Sequence, residues 1–294
     1  MRILVTGALG QLGKALRKSM TEEDFDFICT DICAEDGVCE LDITDEAALE
    51  EFLSSDKVDF VVNCAAYTDV NGAEDNEEEA FRINALAPGK LAAAAARHGV
   101  SLIHISTDYV FDGRTSQPYR ESDQPAPLNV YGRSKLAGEQ AVIDSGCSYV
   151  IIRTAWLYSC NGRNFFNTIL KQTSGQSEMK VVADQIGTPT YAKDLADAIV
   201  RIIKSGISGK EGVYHYTNEG VASWYDFAVE ICRGVGHLTD IIPCRTSEFP
   251  AKAQRPSYTV LDKSEIKRKF GIAIPYWRDS LELCCQCDYL MGKN

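Results

Sequence analysis

The sequence lacks any run of the roughly 20 apolar residues that a membrane-spanning helix requires. It also lacks the charged region, apolar stretch and cleavage site of a signal peptide, because the first residues already form a strand-like segment. These two absences predict a cytoplasmic protein with no membrane partner.

Positive charge is scarce as well. Lysine and arginine together number 30 against 42 acidic residues, which gives a formal net charge of -12 and a sequence pI near 4.9. No stretch gathers enough basic residues to attract nucleic acid or an anionic membrane. Neither partner is therefore expected, and any phosphate-bearing ligand must be held by local contacts.

The sequence has only four histidines, and they do not pair with the eleven cysteines in a metal-binding spacing. Eight cysteines are scattered singly and are interpreted as reduced thiols. The other three, Cys284, Cys285 and Cys287, lie close together, but a tetrahedral zinc site needs a second group of ligands. The sequence therefore predicts no metal site.

Short apolar runs alternate with helical patterns through the first half of the chain. The runs cover residues 2–6, 26–31, 58–66, 101–106 and 148–154. Strand, helix, strand at this spacing predicts an α/β fold with a Rossmann-type, doubly wound parallel sheet. After about residue 160 the elements become shorter, so we expect an NAD(P)-binding domain over 1–160, joined by parts of the later chain, and a smaller, mainly substrate-binding α/β portion over 161–294.

The first strand runs into "GALGQLG", which places glycines at positions 7, 10 and 13 ahead of a helix. Gly7 allows a tight turn, Gly10 lets the backbone approach a pyrophosphate, and Gly13 permits close helix packing. Asp31 ends the second strand and can accept hydrogen bonds from an adenosine ribose. Its charge favours NADH, whereas Arg17 or Lys18 would help NADPH, so the preference stays open.

Tyr131 and Lys135 are four residues apart in "YGRSKLAGE", on a predicted helix. This spacing brings both side chains to one helix face. A nearby ammonium favours a phenolate, so we expect the pKa of Tyr131 to be lowered toward the working pH. Together with the glycine loop, this pair predicts a reductase site.

The strand over 101–106 ends in Ser106. Thr107 and Asp108 follow it, and then two aromatic residues and Gly113. Polar side chains at the carboxyl end of a strand can point into a cleft while belonging to a rigid scaffold. The stretch "STDYVFDG" is therefore a candidate edge of the active site.

These motifs together resemble the extended short-chain dehydrogenase/reductases and, within them, the dTDP-4-dehydrorhamnose reductase family. The finer resemblance rests on "GQLG", "NCAAYTDV" at 63–70, "RTAWLY" at 153–158, "DQIGTPT" at 184–190 and "RPSYTVLD" at 255–262, in the family's order over essentially the whole chain. It implies reduction of the C4 keto group of dTDP-4-dehydro-L-rhamnose by NADPH or NADH, with a nucleotide sugar as the substrate.

The resemblance also implies roles for individual residues. Thr107, Tyr131 and Lys135 match the catalytic positions, and Asp108, Trp156 and Arg255 are expected to join Thr107 in contacting the substrate, Arg255 as a diphosphate partner. The expected cofactor-binding residues are Gly7, Gly10, Gln11, Leu12, Gly13, Asp31, Asp42, Ile43, Ala65, Ala66, Tyr67, Tyr131 and Lys135. The "LDI" segment that contains Asp42 and Ile43 reads equally well as an ordinary helix start.

Two positions depart from the family pattern. Ala15 stands where some members carry a glutamate that helps to bind Mg²⁺ at a dimer interface, which argues against that ion and that dimer. Gly72 replaces a common lysine and removes one charge near the cleft. The chain could be a monomer or a homodimer.

Other functions fit parts of the same pattern. One is a reductase or epimerase that acts on another nucleotide sugar. A second is a non-catalytic regulator, similar to the regulatory subunit of methionine adenosyltransferase. A third is a redox sensor that only binds the cofactor. Intact catalytic positions favour the enzyme.

Overall fold

The computed structural model describes residues 1–23, 25–35, 37–55 and 57–291, with the backbone alone for residues 55 and 287–291. The strands are β1 (Arg2–Thr6), β2 (Asp26–Asp31), β3 (Cys39–Glu40), β4 (Phe60–Asn63), β5 (Ser101–Thr107), β6 (Tyr149–Thr154), β7 (Leu157–Tyr158), β8 (Glu178–Val182), β9 (Ile186–Gly187), β10 (Thr190–Tyr191), β11 (Gly212–His215), β12 (Ala222–Ser223) and β13 (Asp240–Cys244). The α-helices are α1 (Gln11–Glu22), α2 (Glu46–Ser55), α3 (Val70–Ala73), α4 (Glu77–Phe81), α5 (Ala87–His98), α6 (Val130–Asp144), α7 (Phe165–Thr173), α8 (Ala192–Ser205), α9 (Trp224–Val235), α10 (Ser264–Phe270) and α11 (Trp277–Met291).

Within these residues, seven strands form one parallel sheet in the order β3-β2-β1-β4-β5-β6-β11. The order reverses between β1 and β4, and ligands of open α/β sheets bind at the carboxyl ends of the strands beside such a switch point. The expected Rossmann-type, doubly wound parallel sheet is confirmed. The last strand, β11, comes from the later part of the chain and pairs with β6.

The side chains of the central strands alternate between two hydrophobic layers. In β1, Ile3 and Val5 pack with α1 and α8 on one face, whereas Leu4 packs with α2 and α5 on the other. Both layers are fully buried at these positions, which is why the strands appear in the sequence as continuous apolar runs. The two layers make the sheet a rigid base for the loops at its carboxyl edge.

A third hydrophobic cluster lies in the later chain. It joins α7, α9 and α11 around buried aromatic side chains such as Phe166, Phe227 and Trp277. Cys284 and Cys285 are buried in this cluster, whereas the side chain of Cys287 lies outside the described part. We propose that this separate core belongs to the substrate-binding portion over 161–294.

None of the helices in the described ranges has the length and apolar character needed to span a bilayer. In the same ranges, no group of three or more His, Cys, Asp or Glu side chains is arranged to hold a metal ion.

Candidate active site

The loop after β1 lies at the switch point of the sheet. Gly7 has a φ of 66°, and a Cβ there would lie 2.6 Å from the amide nitrogen of Ala65, which follows β4. Gly10 is the N-cap of α1 and provides no side-chain cap. The first-turn N–H groups, which include those of Gln11, Leu12 and Gly13, therefore have neither a capping side chain nor an intrahelical acceptor and suit an anion.

Asp31 ends β2 beside this loop. Its Oδ2 accepts a hydrogen bond from the Leu9 amide at 2.9 Å, and its Oδ1 accepts one from the Ile32 amide at 2.8 Å. A carboxylate can accept about four hydrogen bonds, so it retains capacity for ribose hydroxyls. Asp42 accepts the Thr44 amide at 2.8 Å through Oδ1, in the turn that leads to α2 and also contains Ile43.

The segment of Ala65, Ala66 and Tyr67 follows β4 and is held by Asn84. The Asn84 side chain accepts the Tyr67 amide at 2.8 Å and donates to the Tyr67 carbonyl at 3.0 Å. It also donates to Ser134 Oγ at 3.0 Å, on α6. Asn84 is buried within a π-helical turn, Arg82–Leu86, and such turns are frequent at functional sites.

Thr107 ends β5 and starts a 3₁₀ turn over Asp108–Val110. Its Oγ1 accepts the Tyr109 amide at 3.2 Å and donates to Asp108 Oδ1 at 3.1 Å. The Thr107 side chain also lies close enough to the Tyr131 phenol to lower its pKa. The strand end thus brings the Thr107 side chain close to the Tyr131 phenol.

Tyr131 lies in the first turn of α6. The side chain of Asn129 caps this helix by accepting the Gly132 amide at 2.7 Å. Gly132 lets the helix approach the turn after β5, since a Cβ there would lie only 2.2 Å from the Tyr109 carbonyl oxygen. The Tyr109 ring packs edge-on against Tyr131, with ring centroids 5.9 Å apart.

The pKa of Tyr131 is shifted in the direction opposite to the sequence-based expectation, which was wrong. Burial is the main reason that it is raised to about 12; the charge of Asp108 acts in the same direction, and Thr107 opposes the shift. Lys135 is not among the groups that shift it. Removal from water therefore outweighs any neighbouring positive charge, and at neutral pH Tyr131 is a protonated phenol that can donate.

Lys135 is 2% exposed, one helical turn after Tyr131, and its Nζ donates to the Ile105 carbonyl at 2.7 Å. Burial lowers the pKa of Lys135 to about 8, while the nearby Glu139 and Cys64 oppose this shift. The neighbouring His104 is also buried, and burial together with the charge of Lys135 keeps its pKa well below the usual value.

A buried ion pair lies beside Lys135. Glu139 and Arg153 are both buried, with Arg153 Nε 2.9 Å from Glu139 Oε1 and Arg153 Nη2 2.7 Å from Glu139 Oε2. Ser106 Oγ donates to the same carboxylate. These contacts therefore connect α6, which carries Lys135, to the end of β5, which carries Thr107. They also connect α6 to β6, which leads to Trp156.

Asp108 is 2% exposed, and burial raises its pKa to about 7, against the hydrogen bonds of Thr259 and Thr107. Its Oδ2 is buried and has no hydrogen-bond partner among the described residues. An unpaired buried acceptor beside Thr107 is suited to a hydroxyl donor from a ligand.

The remaining predicted substrate residues lie at the edges of the same region. Thr154, the register partner of Thr107, is two residues before Trp156. Arg255 forms a side-chain hydrogen bond with Tyr109, the aromatic neighbour of Tyr131. The Gln11 side chain contacts β7 and the start of α7. It donates to the Leu157 carbonyl at 3.3 Å and accepts from the Asn164 side chain at 3.0 Å.

The sequence interpretation missed Asn84, Glu139, Arg153 and Trp224, whose indole stacks on that of Trp156 with ring centroids 3.6 Å apart. For Glu139 a signal was present, because it lies four residues after Lys135 and thus on the same buried face of α6. For the other three, the sequence carries no comparable spacing signal. Their roles depend on contacts between distant segments.

A doubly wound sheet with a glycine loop at its switch point, and a helix with Tyr131 and Lys135 beside the strand that ends in Thr107, is the arrangement that the resemblance to the extended short-chain dehydrogenase/reductases implies. The model of the RmlD substrate binding domain matches residues 1–289 of this chain. The chain belongs to that family.

Its relatives agree over nearly their full lengths. The chain is 39% identical to a dTDP-4-dehydrorhamnose reductase of Burkholderia thailandensis, covering 97% of this chain and 98% of the relative. It is also 39% identical to a probable dTDP-4,6-dihydroxy-2-methyloxan-3-one 4-ketoreductase of Streptomyces antibioticus, covering 96% and 93%. The crystal structure of dTDP-4-dehydrorhamnose reductase from Bacillus anthracis in complex with NADP is 36% identical, with a TM-score of 0.89 and coverage of 96% and 98%.

Proposed function

We propose that this protein reduces the C4 keto group of dTDP-4-dehydro-L-rhamnose to give dTDP-L-rhamnose, with NADPH or NADH as the reductant. The observation that carries the proposal is the proximity of the Thr107 and Tyr131 side chains, one helical turn from the buried Lys135. Full-length relatives named for this reaction support the substrate class.

The chain's own residues suit the binding of a dinucleotide. The N–H groups at the start of α1, which have no side-chain cap, would bind the pyrophosphate, and the remaining acceptor capacity of Asp31 suits ribose hydroxyls. Lys135 would hold the second ribose, and the loop of Ala65–Tyr67 would line the same cleft. When bound, the nicotinamide supplies the hydride.

Tyr131 and Thr107 would then control the proton. Reduction of a ketone places negative charge on the oxygen, and that charge requires a donor. Tyr131 remains protonated at neutral pH and donates its phenolic proton to this oxygen, while the Thr107 hydroxyl orients the carbonyl. Asp108 would accept a sugar hydroxyl through Oδ2, and Trp156 and Arg255 would contact the sugar nucleotide.

The direct test is the loss of 340 nm absorbance from NADPH, and separately from NADH, with dTDP-4-dehydro-L-rhamnose made in situ. We expect oxidation that depends on the sugar and disappears without it. If protein that binds the cofactor in calorimetry oxidises neither cofactor, the proposed substrate is wrong.

A second candidate is reduction of another dTDP-linked keto sugar. It is favoured by the relative from Streptomyces antibioticus, which has the same 39% identity as the Burkholderia thailandensis reductase. Parallel assays with other dTDP-4-keto sugars would distinguish the two, because the true substrate should show the highest kcat/KM.

The activity should depend on pH through Lys135. Because its pKa is lowered to about 8 and its ammonium would hold the ribose, we expect kcat/KM for NADPH to fall about tenfold per pH unit as pH rises above that value and the ammonium is lost. The titration of Lys135 does not itself destabilise the fold over this range. An unfolded lysine has a pKa of about 10.4, so the unfolded state binds more protons between about pH 8 and 10, and this residue makes the folded state more stable as pH rises.

A pH–rate profile between pH 6 and 9.5 measures this effect. The matched control is Lys135→Arg, whose charge persists throughout this range. Its activity can be lower, but its profile should lack the decline near pH 8. A decline of equal size and midpoint in Lys135→Arg would rule out Lys135 as its source.

A further inference from the structure

The backbone of Trp156 is strained. Its φ of 48° is in the left-handed region, which a bulky side chain rarely adopts. Such strain persists where the surroundings impose it, and it concentrates at functional sites. Trp156 follows β6, whose last residue, Thr154, is the register partner of Thr107. The strained residue therefore lies next to the strand end that carries the candidate catalytic hydroxyl.

The indole of Trp156 is held between two neighbours. On one face it stacks on Trp224, with ring centroids 3.6 Å apart and the planes inclined by 10°. A Cβ at Gly187 would lie 2.7 Å from Cε2, 2.8 Å from Cζ2 and 2.9 Å from Nε1 of Trp156. Since these three nearest atoms all belong to Trp156 and none to the stacked Trp224, Gly187 lies against the opposite face.

Gly187 lies in a small two-stranded ribbon, and Trp224 directly follows it. In this ribbon β9 pairs with β12, which places Gly187 opposite Ala222, two residues before Trp224. Trp224 is the first residue of α9, whose start is fixed by a reciprocal cap. Ser223 Oγ accepts the Asp226 amide at 3.0 Å, and the Asp226 carboxylate accepts the Ser223 amide at 2.8 Å.

Further contacts limit movement of the stack. The Phe165 ring packs on Trp224 with centroids 4.5 Å apart. The Trp156 carbonyl accepts the Thr190 amide at 3.2 Å, which ties its backbone to β10. Three contacts therefore restrain the indole: the backbone hydrogen bond to β10, the stack on Trp224 and the contact with Gly187.

We infer that Gly187 and Trp224 are positioning residues that clamp the Trp156 indole in a single orientation for contact with the nucleotide sugar. This inference rests on the proposed function, which makes Trp156 a substrate contact. A side chain whose rotamer is fixed by packing loses little conformational entropy when the ligand binds. A small displacement of such a side chain weakens its interaction with the ligand. Gly187 is required because any side chain would displace the ring.

The test is Gly187→Ala. The backbone of Gly187 is outside the left-handed region, so alanine adds only a methyl group, and that group contacts the indole. We expect KM for the nucleotide sugar to rise about tenfold, with Kd for NADPH unchanged. In a Trp156→Ala background the same substitution should change KM less than about twofold, because the displaced ring is absent. Equal effects in both backgrounds would overturn the clamp.

Variants of Trp224 provide a second, independent test. Trp224→Phe keeps a flat ring and should retain most of the affinity for the sugar, whereas Trp224→Ala should raise KM as Gly187→Ala does. Stacked indoles also produce an exciton couplet in circular dichroism, which requires no turnover. With three tryptophans in the chain, the couplet should vanish in Trp224→Phe and persist in Trp277→Phe, which alters only the buried core tryptophan.

The two proposals fail in different ways. If the protein with its native sequence reduces none of the dTDP-keto sugars, the proposed function fails, while the couplet still tests whether Trp224 holds the Trp156 indole. If reduction occurs but Gly187→Ala and Trp224→Ala leave KM unchanged, the clamp is wrong and the function stands.

Discussion

Replacing Tyr131 by phenylalanine should lower kcat by about 10²-fold or more, because the phenolic proton is the one that the developing alkoxide takes up. The ring and its edge-on contact with Tyr109 persist in this variant, so the local packing is preserved. Binding of NADPH should change little. The measurement is the rate of cofactor oxidation at saturating nucleotide sugar, together with the Kd for NADPH by calorimetry.

The neighbouring phenol supplies the control. Tyr109 lies next to Tyr131, but burial, first of all, and the charge of Asp108 raise its pKa above the usual range, and its side chain is hydrogen-bonded to Arg255. Tyr109→Phe should therefore cost much less in kcat than Tyr131→Phe. If the two variants lost equal activity, or if Tyr131→Phe kept full turnover, Tyr131 would not be the proton donor.

Replacing Glu139 by glutamine should destabilise the fold by about 3–5 kcal/mol, since it leaves the Arg153 guanidinium buried without a counter-charge. Both partners are almost completely buried, with 2% and 4% of their side-chain surfaces exposed, so water cannot replace the lost carboxylate. The free energy of unfolding from urea titrations measures this effect.

An exposed pair offers the matched comparison. Glu265 and Arg268 form a similar ion pair on α10 at the surface, and Glu265→Gln should change the free energy of unfolding far less. A double variant with Glu139→Gln and Arg153→Met should recover stability, because it removes the unpaired charge. If Glu139→Gln were as mild as Glu265→Gln, the pair would not stabilise the fold in this way.

Loss of Glu139 should also affect Lys135. The carboxylate opposes the effect of burial on the Lys135 pKa, so its removal should shift the alkaline decline of kcat/KM for NADPH to a lower pH. The Arg153 side chain would lose its acceptor on α6 but would keep its contact with His215, 3.5 Å away. The free energy of unfolding and the pH–rate profile thus both report on the cluster of Lys135, Glu139 and Arg153.

Strand positions could be predicted closely from the sequence. The apolar runs at 2–6, 26–31 and 148–154 correspond to β1, β2 and β6 within one residue at each end. Gly99 closes α5 in the left-handed conformation that a helix end after "ARHG" suggests. Buried parallel strands and glycine-closed helices follow from local composition, so local rules are sufficient to place them.

The chemistry of the site was less accessible. The spacing of Tyr131 and Lys135 indicated their shared helix face, but it could not indicate that burial, rather than the lysine, controls the pKa of the phenol. The amount of water removed depends on how α6 packs against β5 and its turn, and that packing is long-range.

What the sequence determined by itself is therefore the alternation of strands and helices in the first half of the chain, the glycine loop and the candidate set of Tyr131 and Lys135 on one face of α6. These features depend on residues close together in the chain, where periodicity and turn chemistry act directly. Only the tertiary structure decided which residues support that set. Glu139 meets Arg153 across 14 positions, and Trp156 meets Trp224 across 68, because the free energy of burial depends on neighbours in space and not on separation along the chain.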